Sequence, residues 1–188
     1  MNVIFLLSLV LITLMAGCAS TGGSHKLVTA PMSSTQAGKY TALMVSVQAA
    51  PNVALSQSDS FRMTKLIVED VKSDASNRFK GINPLVPNST TLEASVVIKR
   101  YDEGDAFYRL MLMGLGQIHI DAEVALVDSA TKNKLAQYEV TKTFAWGGYF
   151  GALIGIKDVE VGFCKAVADS ILGNDSLMAQ GGRLFMLK

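Results

Sequence analysis

The sequence predicts an α+β two-layer sandwich, a four-stranded mixed sheet in the element order β-α-β-β-β-α with its helices on one face. Three observations predict it. Residues 117–128 alternate strictly, with Ile118, Ile120, Ala122, Val124 and Leu126 on one side and Gln117, His119, Asp121 and Glu123 on the other, the period-2 signature of a half-buried strand. Two stretches, starting near Ser58 and at Lys157, instead place apolar residues at helical spacing. The first helix precedes a run of three strands and the second follows it, so a meander receives a fourth strand through a helix.

The elements follow in order. Residues 1–17 carry no charge, and the apolar run 3–15 is broken only by Ser8 and Thr13. As a helix that run reaches roughly 20 Å, short of the ~30 Å hydrocarbon core, so it reads as the apolar region of a secretory signal. Residues 18–38 follow, rich in Ser, Thr, Gly and Ala, and read as a flexible tether with a reach of about 25 Å. His25 falls within it as a solvated side chain.

Residues 39–188 are expected to form one domain. Residues 40–48 alternate as a strand, with Leu43, Val45 and Val47 on one face, and Pro51-Asn52 ends it. Ser58-Asp59 is a good cap for a helix of about twenty residues. Its apolar stripe is Met63, Ile67, Val71 and Ala75, and it ends near Gly81. Residues 92–101 are strand-like through Val96, Val97 and Ile98. The polar turn Thr131-Lys132-Asn133-Lys134 joins strand 117–128 to strand 135–146 as a hairpin. Residues 157–172 form the last helix, with Val159, Phe163, Val167 and Ile171 as its buried stripe and Gly173 as its stop. Asp128, at the hairpin turn, is expected to make polar contacts that water can replace, and so to matter less to stability than Val124.

Composition excludes several function classes. Of 188 residues 49% are hydrophobic, and 17 Lys+Arg against 16 Asp+Glu give a net charge of +1. That balance offers no field to steer nucleic acid, and no nucleic-acid partner is expected. Of the two cysteines, Cys164 lies in a helical apolar pattern and reads as buried rather than reactive.

Catalytic and ligand motifs are sparse. His119 sits between Gln117 and Asp121 on a polar strand face and reads as solvated, with no G-x-S-x-G elbow to accompany it. Neither H-E-x-x-H nor C-x-x-C occurs. Met111 and Met113 belong to the apolar run 110–115 and read as packing residues, while Gly114-Leu115-Gly116 lacks the further residues of a phosphate cradle. No catalytic, cofactor-binding or metal-binding residue is assigned. Residues 146–156 differ from the rest: they carry no charge, hold the single Trp, and place glycines at 147, 151 and 155. Eleven residues cannot span a bilayer. A loop over the sheet and an interaction loop presenting Trp146, Tyr149 and Phe150 are the two readings.

Met15-Ala16-Gly17-Cys18 after the apolar run resembles the lipobox of bacterial lipoproteins, although the n-region lacks Lys and Arg and Met15 stands where Leu is usual. The resemblance implies cleavage before Cys18, three acyl chains on that cysteine, and essentially irreversible anchoring. Ala19 after the cysteine then implies the outer membrane. With Tyr101-Asp102-Glu103-Gly104-Asp105, Arg109, Gly114-x-Gly116, Val127-Asp128 and Gly147-Gly148-x-x-Gly151 added, residues 39–172 resemble the bacterial lipoproteins grouped as a domain of unknown function, DUF4410. The chain departs from that pattern at Asp105, where Asn is usual, and at Thr131-Lys132, where Thr-Gly is usual. The resemblance brings no activity, ligand or cofactor. The reading is an outer-membrane-anchored, periplasm-facing, non-catalytic binding or assembly accessory, partnered by the membrane through Cys18 and by an envelope protein. A subunit of an oligomeric secretion channel and a small envelope enzyme are the alternatives.

Overall fold

The computed structural model describes residues 23–74, 78–112 and 115–174. They form strands β1 (Ser24–Leu27), β2 (Ala42–Ala49), β3 (Gly81–Ile82), β4 (Thr91–Asp102), β5 (Ile118–Asp128) and β6 (Lys134–Phe144). The helices are α1 (Ser34–Lys39), α2 (Gln57–Asp74), α3 (Ala106–Met111), α4 (Gly148–Leu153) and α5 (Ile156–Leu172). The fold is a mixed α+β arrangement around one sheet, in the order β1-β6-β5-β4-β2-β3.

The sheet is mixed because of how β2 is connected. Strands β4, β5 and β6 form an antiparallel meander. Strand β2 pairs with β4 in parallel, and a parallel neighbour requires a crossover, which α2 supplies. One face is lined by Leu43, Val45, Leu92, Val96, Ile98, Ile120, Val124 and Val140, all buried. The long helices α2 and α5 lie side by side on it through Met63, Ile67 and Val71 and through Phe163, Val167 and Ile171. The Cys164 thiol is fully buried between the helices, where it donates to the Met63 carbonyl at 3.7 Å, and burial pushes its pKa up. The alternation read at 117–128 appears as strict in-out burial along β5.

Several expectations change. The sheet has six strands rather than four, because β1 and β3 are edge strands of four and two residues, too short to show a period. Strand β1 lies within the expected tether: Ser24 to Leu27 pair with Thr141 to Tyr138 of β6. His25 is therefore a sheet residue, edge-on to the Tyr138 ring at 6.1 Å. Helix α1 also falls inside the expected tether, started by a Ser33–Gln36 capping box. Helix α2 ends at Asp74 rather than near Gly81; Gly81–Ile82 pair with Ala42 and Leu43 instead. Ala75, Met113, Gly114 and the signal and lipidation residues, Cys18 included, lie outside the described residues.

Two polar knots tie helices to the sheet. In the first, the Asp128 carboxylate, 4% exposed, accepts from Lys39 Nζ (2.7 Å) and Tyr40 OH (2.8 Å) and from the amides of Ala130 (3.0 Å) and Thr131 (2.9 Å). It joins α1 to the β5–β6 turn. In the second, fully buried Glu160 of α5 accepts from Arg62 Nε (2.7 Å) and Nη2 (2.7 Å) of α2 and from Tyr101 OH (2.6 Å) of β4.

Candidate functional site

The β4–α3–β5 and β6–α4–α5 connections leave the sheet at the same end, because Asp102 pairs with His119 and Ile118 pairs with Phe144. Both connections contain a single helical turn or slightly more. Asp105 caps α3 by accepting from the amides of Phe107 (2.8 Å) and Tyr108 (3.1 Å). Helix α4 packs beside α3.

Arg109 fastens the two connections to each other. Its side chain is buried and donates to four main-chain carbonyls: Nε to Gly151 (3.1 Å), Nη1 to Gly116 (2.6 Å) and Glu103 (3.2 Å), and Nη2 to Ile154 (3.1 Å). A guanidinium offers five donors in a fixed fork, which suits it to this task better than an ammonium. Two glycines make room for the knot. Gly116 has φ +69, and a Cβ there would collide with the Asp105 carbonyl; at Gly151 a Cβ would collide with the carbonyl of Trp146.

The knot holds an apolar rim outside it. Trp146 is 49% exposed, Tyr149 67% and Phe150 72%, and the last two rings meet edge to face at 5.7 Å between centroids. Leu153 of α4 is exposed beside them. From the other connection Phe107 (62%) and Met111 (63%) are exposed, with Phe107 and Tyr108 in a second edge-to-face pair at 6.0 Å. Within the segment read as a loop, Gly148–Leu153 form helix α4, and its Tyr149 and Phe150 are exposed, as is Trp146 just before it. Met111 corrects the reading of 110–115 as packing residues. Helix α3 is too short for its apolar stripe to reach the core, and its one buried side chain is Arg109. The sequence signal for the α3 half of the rim is a lone Arg inside the apolar stretch Phe107 to Leu112.

The remaining candidate groups are not brought together. His119 is half-buried with Nδ1 3.0 Å from Thr143 Oγ1, and Asp121 lies on the open sheet face. Among the described residues, no group of three or more His, Cys, Asp or Glu side chains could hold a metal ion. A cleft of about 370 Å³ lies at the opposite end of the sheet, between Met32, Ala37, Tyr138 and Leu172. Arg78 lines it, but donates to the Leu172 carbonyl at the C-terminus of α5 (2.7 Å) and stacks on Phe79. Among the described residues no helix is long and apolar enough to cross a membrane.

A family model described as Domain of unknown function (DUF4410) matches residues 30–148. The chain belongs to this family. The matched DUF4410 region runs from just before α1 to the start of α4 and contains Arg109 and Gly116, which bond to each other at the rim, and Asp128 of the first polar knot. No curated protein matches the chain. Among solved structures, the PelC dodecamer from Paraburkholderia phytofirmans is similar in two crystal forms. One has 11% identity and TM-score 0.52, the other 12% and 0.51, and each match covers 79% of this chain and 96% of that one. Protein XCC0632 from Xanthomonas campestris matches at 14% identity and TM-score 0.43, over 82% of this chain and 89% of that one. The PelC likeness is one of fold.

Proposed function

We propose that this DUF4410 chain is a lipoprotein of the bacterial envelope, anchored to the outer membrane by acyl chains on Cys18 and facing the periplasm, and that its domain works without catalysis, as a binding or assembly accessory. The observation that supports binding is the apolar rim. Large apolar side chains concentrated at one end of a domain, on connections rather than on the packed sheet, mark an interaction surface. The Arg109 knot supports the same reading, since it spends a buried cation on holding that surface in one shape. The test is cross-linking in intact cells with the wild-type chain and with the Trp146→Ser, Tyr149→Ser, Phe150→Ser triple variant. Capture by the wild type and loss in a triple variant that still folds support the reading. Equal capture by both chains puts the protein contact elsewhere on the domain and leaves the rim to a different occupant.

A second reading, a subunit of an oligomeric outer-membrane assembly, is favoured by the likeness of fold to a chain that forms a dodecamer. The native mass of the purified lipidated chain decides it: a monomer counts against this reading, a closed ring for it.

A further inference from the structure

We propose that the partner of the rim is the phospholipid leaflet that holds the Cys18 anchor, with Trp146, Tyr149, Phe150 and Leu153 seated in its interface. The proposal rests on the lipoprotein reading and deepens it. It begins from where the chain enters the domain. Strand β1 runs antiparallel to β6 with Ser24 opposite Thr141, and β6 runs toward the rim. The Gly23 amide donates to the Gly162 carbonyl of α5 at 2.9 Å, one turn and a half into the helix that follows α4. The chain therefore joins the fold at the rim end of the sheet and not at the cleft end.

Chain length turns this placement into a distance limit. Five residue steps lead from Cys18 to Gly23, and fully extended they span at most about 18 Å. The five residue steps from Thr141 to Trp146 reach toward the rim by up to about 17 Å at strand rise. An anchored Cys18 thus keeps the leaflet within about 18 Å of Gly23, a distance comparable to the rim's own reach. A tether of twenty residues would have reached about 25 Å; pairing of residues 24–27 leaves only residues 19–22 between the anchor and Gly23.

The chemistry of the rim suits a lipid interface. Trp and Tyr are the residues that sit at headgroup depth, and Phe, Leu and Met are suited to the acyl boundary beneath. Residues 145–156 contain no charged side chain, and Arg109, the one charge in α3, is turned inward. In sequence, Asp105 stands just before α3 and Lys157 just after residues 145–156. A protein-binding patch would ordinarily mix hydrogen-bonding groups into such a surface. Helix α4, six residues long, lies in the interface and spans nothing.

Trp146 is the single tryptophan of the chain and reports its own depth. The full lipidated protein is reconstituted into phosphatidylcholine vesicles, with and without acyl-chain-brominated phosphatidylcholine, and the Cys18→Ser chain in buffer serves as the exposed reference. The expected result is a blue-shifted Trp146 emission in vesicles that is quenched by the brominated lipid and shielded from aqueous iodide. A Phe150→Ser, Leu153→Ser variant should remain vesicle-bound through its acyl chains and lose most of that quenching. Three results overturn the proposal. An acylated, vesicle-bound protein whose Trp146 is open to iodide and indifferent to brominated lipid refutes the rim contact while leaving the anchor intact. Blue-shifted, shielded emission from the reference chain in buffer means that a second copy covers the rim. A mature chain whose mass shows no acyl group on Cys18 removes the lipoprotein reading and this proposal together.

Discussion

Four donors converge on the Asp128 carboxylate, two from side chains of the α1 end and two from the amides of its own turn. The Lys39 ammonium, the Thr131 amide and the Tyr40 hydroxyl hold its pKa well below the ordinary carboxylate range against the opposing effect of burial. The expectation that water can replace these contacts therefore reverses. Asp128→Ala should lower the urea midpoint at least as much as Val124→Ala, for which a cavity in the fully buried β5 face costs roughly 1 to 3 kcal/mol. A markedly smaller loss for Asp128→Ala contradicts the four-donor account. The pH dependence has a definite sign. A carboxylate with a depressed folded pKa contributes stability that is complete above its unfolded value of about 4 and is lost as the pH falls from there toward the folded value. The difference in urea midpoint between the wild type and Asp128→Asn should thus be constant from pH 7 to about 5 and shrink as the pH is lowered through about 4. A difference that persists unchanged at pH 2 contradicts it.

Helices α3 and α4 are each six residues long, too short to hold themselves in water, and Arg109 supplies what their length does not. Arg109→Lys should cost roughly 2 to 4 kcal/mol, because an ammonium cannot reach carbonyls on both connections and leaves some of them without a donor. Amide hydrogen exchange should show the loss locally, with faster exchange in α3 and α4 and little change along β5 and β6. Uniform acceleration across the sheet contradicts a local role. The triple serine variant at Trp146, Tyr149 and Phe150 should leave the unfolding midpoint of the purified protein nearly unchanged, since these rings are exposed. If they instead covered the core, three losses would remove several kcal/mol of a total of only about 5 to 15.

At the scale of the whole molecule, the elements that follow a long hydrophobic period were legible in the sequence: β2, α2, β4, β5, β6 and α5 stand near their expected positions, with helices on one face. Three kinds of feature were not. Strand β1 borrows its order from β6, and four residues, Ser24–Leu27, in a Ser/Gly-rich stretch give no period. Helices α3 and α4 owe their existence to one another through Arg109, a contact between residues more than forty positions apart. The Asp128 knot joins residues 89 apart in sequence, which no local pattern records. The candidate site was legible by half: Trp146, Tyr149 and Phe150 stood out by composition, whereas Met111 read as a packing residue and Phe107 carried no signal, because α3 is too short to bury either. The central claim is that acyl chains on Cys18 hold a self-sufficient domain at the membrane, with the rim adding a reversible contact. Fractionation of cells carrying Cys18→Ser tests it most directly. The expected result is a folded protein, with the unfolding midpoint of the wild type, recovered in the soluble periplasmic fraction after repeated washing of the membranes. A Cys18→Ser chain that still sediments with washed outer membranes contradicts the claim.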